Sequence, residues 1–317
     1  MLLALPLLLL IAYPFVAEQG YLTYVLLVIF AYSIVGLYYN LLLGFVGIPF
    51  LGVMVPFAVG GYTTGYLAGN GFDPWVAMSV GAGFGAGSGF TFSLLSMRLR
   101  GLYMALYSLV FALFFQNLIG RQDIPALFHV FQGAIGQNSI PDIMLGGFRW
   151  RVNDGLPYYY LAMGLLVVSA VVLKRLLDSR LGIAFRGVRD AEVYASTLGI
   201  GIFRVKIIAF AISSLFIGLV GSVLTLFYGA IGLTILDTSN MLLFFSMVVI
   251  GGLGTFLGPV VGAMILVPLS LYLTSQGAWR LLISGLAVLL VVLIAPEGLV
   301  GKVEGFLRNR SAARARG

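Results

Sequence analysis

An all-α polytopic membrane protein with eight to ten transmembrane helices is the fold class this sequence predicts, and three observations carry it. Charged residues make up only 9% of the 317, against 61% hydrophobic ones. A soluble domain needs roughly 25% charge to keep its surface wetted, so this chain uses lipid as its solvent. Its apolar residues also gather into runs of about twenty, the length that crosses a hydrocarbon core of roughly 30 Å. Finally, its basic residues sort to alternate loops, as membrane topology requires.

The segments follow in order. The N-terminal MLLALPLLLLIAYPFVAEQG has the apolar core of a signal peptide but no basic n-region, and Pro6 and Pro14 interrupt it. It reads as a first membrane segment, 1–17, with a cleaved signal as the alternative. Further candidates are 21–43, 50–69, 74–97, 102–120, 157–176, 207–229, 239–252, 256–275 and 279–297. The stretch 239–252 is short and has the length of a half-helix. Gly and Pro punctuate 44–61 and 125–141, the pattern of broken or re-entrant backbone that lines a cavity. Some of the spans are therefore expected to be discontinuous, and eight true crossings is the alternative to ten.

Charge position orients this path. Arg98, Arg100, Lys174, Arg175, Arg180, Arg186, Arg189, Arg204, Lys206, Lys302, Arg308, Arg310, Arg314 and Arg316 all fall on one side of an alternating path, and only Arg121, Arg149, Arg151 and Arg280 on the other. Cytoplasmic loops collect Lys and Arg, so both termini and the 174–206 region are expected in the cytoplasm. The net charge of +7 is thereby a matter of topology rather than of nucleic-acid binding. The basic tail 302–317 is expected near anionic headgroups.

Two glycine patterns stand out. Gly81, Gly85 and Gly89 recur at four-residue spacing and share one helix face, where small residues let helix backbones approach closely. The same stretch satisfies G-x-G-x-x-A, but inside a spanning segment with no preceding strand, so helix packing is the reading rather than a dinucleotide site. In GGLGTFLGPVVGA, 251–263, Gly254, Gly258 and Gly262 form a second small-residue face broken by Pro259. Packing and close approach to a permeating solute are both compatible with it.

The chemistry this chain lacks narrows its function. With no Cys and one histidine, His129, thiolate or histidine metal clusters and cysteine nucleophiles are excluded. The acidic residues fall in loops or at segment ends, whereas proton-coupled transporters keep an ionisable relay at mid-membrane. Sodium coupling through backbone carbonyls is not excluded on that ground. No H-E-x-x-H, G-x-S-x-G or paired-carboxylate site is present, so no catalytic residue is assigned and an intramembrane enzyme is remote. The single G-K pair, Gly301-Lys302, lacks the Gly and the Ser or Thr of a P-loop, Pro296 and Val303 standing there instead. An energised transporter built on this chain must borrow its motor, while a stand-alone channel or secondary transporter needs none.

The region LLDSRLGIAFRGVRDAEVYASTLGIGIFRVKIIAF bears on that choice. Between basic flanks, about 188–198 is helix-compatible, too polar to span and too short to fold alone. Bounded by Gly187 and Gly199, it has the shape of a docking element. On physics alone an ordinary solvated loop is the preferred reading.

Several runs here resemble the permeases of branched-chain amino-acid ABC importers, in particular the LivM-like half of the permease pair. They are D-S-R-L-G at 178–182, F-R-G-V-R-D-A-E at 185–192, the spacing Glu192…Ala195…Gly199-Ile200, and K-x-x-A-F at 206–210. The resemblance continues in L-R-G-L-Y-M-A-L at 99–106, G-G-L-G-T-F-L-G-P-V-V-G-A at 251–263 and P-E-G-L-V-G at 296–301. It implies an ABC importer permease fold, with 1–317 a single transmembrane domain and 177–206 a cytoplasmic coupling loop. It also implies that 188–199 is a coupling helix seated in a groove of a cytoplasmic ATPase, with Arg189, Asp190 and Glu192 making polar contacts and Ala195 and Gly199 allowing close approach. Tyr194 stands where the family usually has alanine. No cofactor is expected in this chain, with ATP and magnesium bound by the partners. Those partners are a second permease chain (as a heterodimer), two ATPase subunits and a periplasmic substrate-binding protein, at the bacterial inner membrane.

The N-terminal half departs from the family pattern. Where family members typically carry Gln, Ser and His, this chain has Ile48, Phe50 and Val53, and the T-G-G-x-x-G element survives only as Phe131-Gln132-Gly133-Ala134-Ile135-Gly136. Translocation-path candidates by the resemblance are Gly47, Phe50, Tyr62, Phe131, Gln132, Gly254 and Pro259. If these residues line the path, it has lost hydrogen-bonding groups that a polar solute needs. If they only pack, the partner permease supplies those contacts. The resemblance implies a branched-chain or similar hydrophobic amino acid as the solute, with an aromatic acid, another small carboxylate, urea or an amide as the neighbouring alternatives.

Overall fold

A computed structural model describes residues 20–96, 99, 101–121, the strands within 137–150, 155–273, 285–286 and 298–302. The expected segment 1–17, almost all of 279–297, the tail beyond Lys302, and His129, Phe131 and Gln132 lie outside the described residues. Within them every long element is a helix. Helix α1 is Tyr21–Asn40, α2 Met54–Gly69, α3 Pro74–Leu95 and α4 Leu102–Gly120. Helix α5 is Gly155–Asp178, α6 Arg180–Asp190, α7 Glu192–Thr197 and α8 Ile202–Tyr228. Helices α9, Thr238–Gly251, and α10, Gly258–Tyr272, follow.

Among the described residues four segments are long and apolar enough to cross a membrane: Tyr21–Phe45, Leu102–Gly120, Gly155–Leu177 and Ile202–Tyr228. The half-helix expected at 239–252 is α9, with 14 residues. Its partner α10 has 15, so the expected span 256–275 is shorter at its start. At 1.5 Å per residue neither helix matches a full crossing. They pack against each other and against α1 as a helical hairpin around the loop 252–257.

The core forms around α1, whose membrane-crossing window is almost wholly buried, and α8, while α4 and α5 stay largely exposed on the outside. Helices α2, α3 and α8 pack backbone against backbone. A Cβ on Gly85 would lie 2.9 Å from Gly218 Cα and 3.0 Å from the Ser214 carbonyl, and one on Gly60 would strike the Gly218 carbonyl. The stripe Gly81, Gly85, Gly89 is thus a helix-packing face, as its spacing predicted. The opposite face of α3, at Gly83 and Gly87, has nothing within 4 Å.

Three expectations need correction. The span 50–69 begins as irregular chain, and the helix starts only at Met54. Gly254 does not share a helix face with Gly258 and Gly262. It sits in the loop with φ +74°, while Gly262 packs on Met247 of α9. The docking element is not one helix over 188–198 hinged at Gly187. Gly187 lies inside α6, and the break comes at Ala191, whose φ of −159° and ψ of 84° interrupt the helical path.

At one end of the bundle the strand Gln137–Asn138 pairs antiparallel with Ala230–Ile231, just past α8. A second antiparallel pair joins Ile143–Leu145 to Phe148–Trp150. The opposite end gathers the 44–52 segment, Gly101, the α6–α7 pair and the 252–257 loop, and carries the basic residues Lys174, Arg175, Arg180, Arg186, Arg189, Arg204 and Lys206.

Candidate functional site

The basic end is assembled from local signals. Ser179 separates α5 from α6, its hydroxyl accepting from Leu181 N at 3.2 Å as an N-cap. Helix α6 turns Phe185 and Val188 inward and leaves Arg186, Arg189 and Asp190 exposed. After the break at Ala191, α7 closes on Gly199. There φ is +82°, and the bonds Ile200 N to Ala195 O (3.1 Å) and Gly199 N to Ser196 O (3.1 Å) form a Schellman ending. Glycine suits that left-handed position because it has no Cβ to clash.

The coupling candidates Arg189, Asp190, Glu192, Ala195 and Gly199 thus all lie on one helix–break–helix unit. Their side chains face different ways. Arg189 Nε bonds Asp190 Oδ1 at 2.8 Å, and its Nη1 donates to the Gly44 carbonyl at 3.0 Å. Glu192 pairs with Lys206 of α8 at 2.9 Å, with the two side chains 26% and 14% exposed. Cavities of about 240 Å³ and 140 Å³ flank that pair. Ser93, Ser96, Met104 and Phe203 line the larger, and Gly47, Pro49 and Leu99 the smaller. Ala195 is buried. Around α7, beside the exposed Ser196 and Thr197, the large exposed side chains are Val193, Tyr194 and, just past the helix, Leu198, 64%, 74% and 81% exposed. Sequence reading singled out only Tyr194 of these. The signal for the other two was an apolar residue at each end of a segment too short and polar to span.

A second cluster meets this unit from inside the bundle. After Asn40, α1 widens into a single π turn, Leu41–Phe45, closed by Val46 N to Leu41 O at 3.0 Å. Asn40 is 1% exposed. Its amide donates to the Thr255 carbonyl at 2.8 Å and its Oδ1 accepts from Gly254 N at 2.9 Å. Asn40 was missed in the sequence, although a lone amide in an otherwise apolar 21–43 run is the kind of polar residue that membrane interiors keep for a reason. The space is full: a Cβ on Gly44 would collide with Asn40 Oδ1 and Gly254 N.

The path candidates are placed as follows. Gly47 has φ +76° and rests against Arg189, and Gly254 also lies beside that guanidinium. Phe50 is fully buried against Phe92 (ring centroids 4.7 Å) and Phe210 (5.2 Å). Tyr62 is likewise fully buried, and Pro259 packs on Gly36 of α1. Gly47 and Gly254 come together at the basic end, whereas Phe50, Tyr62 and Pro259 sit separately within the bundle. Ile48 and Val53 are buried as well. Among the described residues no group of three or more His, Cys, Asp or Glu could hold a metal ion.

Comparison with known proteins bears on this arrangement. The family model described as branched-chain amino acid transport system / permease component matches residues 21–295. The chain is 26% identical over 322 aligned residues to the high-affinity branched-chain amino acid transport system permease protein LivM of Escherichia coli K12, covering 96% of this chain and 75% of that one. LivM of Salmonella typhimurium is likewise 26% identical, over 95% of this chain and 75% of its own length. The permease protein LivH of Salmonella typhimurium is 32% identical over 130 residues, or 40% of this chain and 41% of that one. No solved structure matches.

Proposed function

The chain belongs to the permease-component family of branched-chain amino acid transport systems, and from that premise we propose that it is one half of an ATP-driven importer's membrane pathway for branched-chain or similar hydrophobic amino acids. The basic end faces the cytoplasm of a bacterium, and a second permease chain completes the pathway. Two ATPase subunits bind ATP and magnesium, and a periplasmic binding protein delivers the solute. The observation that carries this reading is the α6–α7 unit. Its second helix, six residues long, exposes Val193 and Tyr194 with Leu198 just after it, and the unit is held to the bundle by Glu192–Lys206 and by Arg189–Gly44. A helix of that length is not stable alone, and an outward Val193, Tyr194 and Leu198 beyond the membrane are best explained by a protein groove that covers them.

Within this unit Tyr194 and its apolar neighbours carry the contact with the ATPase, while Arg189 and Glu192 hold the unit in place. The apolar residues Ile48, Phe50 and Val53 are buried, which favours packing over solute selection and leaves a branched-chain solute in keeping with the family. Uptake of labelled leucine into vesicles carrying the full set of subunits, with and without ATP, tests the reading. Tyr194→Arg should release the ATPase from the membrane and abolish uptake. Transport of leucine by this chain alone, without ATP or partners, would refute the importer-subunit role.

A further inference from the structure

The Asn40 cluster joins three parts of the chain that have no covalent reason to move together. Asn40 closes α1, and both halves of its amide are spent on the loop that joins α9 to α10, at Gly254 N (2.9 Å) and Thr255 O (2.8 Å). One turn later the Gly44 carbonyl accepts from Arg189 of α6 at 3.0 Å. Gly44 touches Asn40 and Gly254 so closely that a single Cβ would not fit. Arg189 also rests on Gly47, where the Cβ of any larger residue would lie 2.8 Å from its Cγ. These contacts leave no slack between the guanidinium and the α9–α10 loop.

From this geometry we infer that Asn40 is a positioning residue for transport, the pin through which displacement of the α6–α7 unit at Arg189 moves the short α9–α10 hairpin. The inference rests on the importer reading above. A charge-assisted bond from Arg189 is among the stronger contacts available to a carbonyl, and packed elements shift as units rather than deforming continuously. When α6 moves, the Gly44 carbonyl follows. Asn40 and Gly44 stand on the same single π turn, Asn40 as its N-cap, so the two shift together. The loop at Gly254–Thr255 then moves with Asn40, since a buried amide that let go would leave donors and acceptors unmade. Helices α9 and α10, too short to be anchored in both faces of the membrane, tilt with their loop.

The test is made in proteoliposomes holding the complete importer, by counting solute molecules accumulated per ATP hydrolysed. Asn40→Leu keeps the branched shape and the number of side-chain heavy atoms and removes both hydrogen bonds. Asn40→Asp keeps the acceptor for Gly254 N and is the second variant should the first fail to assemble. We expect ATP hydrolysis to continue in the Leu variant while solute moved per ATP falls about tenfold, with the Asp variant intermediate. A variant complex that assembles in smaller amounts but transports with the wild-type ratio would overturn the inference and leave Asn40 a purely structural residue. Wild-type complex that shows no ATP-driven uptake at all would instead sink the importer reading, so the two failures are distinguishable.

Discussion

Glu192 and Lys206 show how much of this end of the molecule is set by single side chains. Their 2.9 Å contact is mostly shielded from solvent, so it falls between an exposed pair, worth up to about 1 kcal/mol, and a buried one, whose breakage costs about 3–5 kcal/mol. Lys206→Met is expected to destabilise the chain by about 2 kcal/mol, read as a lower melting temperature in detergent. Exchanging the two charges, Glu192→Lys with Lys206→Glu, should recover most of that loss, and a failure to recover would show that the pair's surroundings matter more than the pair. Gly44 makes the same point without charge. The Cβ of Gly44→Ala would overlap Asn40 Oδ1 and Gly254 N, and overpacking of this kind costs about 1–3 kcal/mol. The four-residue separation of Asn40 and Gly44 is plain in the sequence. Their partners, Gly254 and Arg189, stand more than a hundred residues away, and no local pattern marks such a pairing.

At the scale of elements, α3 has two faces that the same glycine-rich sequence builds differently. Gly85 approaches Gly218 of α8 with no room for a methyl group, whereas Gly83, two residues earlier, has nothing within 4 Å. Gly85→Ala should separate α3 from α8 and cost about 2 kcal/mol or more. Gly83→Ala should be neutral or gain up to about 1 kcal/mol from helix propensity. Thermal unfolding of the two variants side by side checks this, and equal effects would refute the assignment of faces. That division was legible beforehand, because four-residue spacing is helix geometry and needs only the local chain. The split of the docking element at Ala191 was not legible. Nothing in G-V-R-D-A-E-V-Y is a strong breaker, and Gly187, the residue that looks like a hinge, is absorbed into α6. The break fits the tertiary contacts that fix Arg189 on Gly44 and Glu192 on Lys206, one on each side of Ala191. Gly199, by contrast, ends α7 where its sequence position suggested, because a left-handed residue after a helix favours glycine on local grounds.

For the whole molecule, the alternating path drawn from the apolar runs puts the 44–50, 96–101, 174–206 and 252–257 regions on one side of a membrane. The structure gathers residues of all four around the α6–α7 unit, through Arg189, Glu192 and the cavities beside them. Meeting at one end, however, does not say which compartment that end faces. The positive-inside rule does, and the absence of cysteine from the chain makes the assignment directly measurable. Arg180→Cys stands exposed at the start of α6, and Asn70→Cys stands exposed beyond α2, at the opposite end. In intact cells a membrane-impermeant thiol reagent should label the Asn70 variant and spare the Arg180 variant. Permeabilising the membrane should expose the latter. The reverse pattern would place α6–α7 outside the cell, out of reach of any ATPase, and would undo the importer reading together with the orientation.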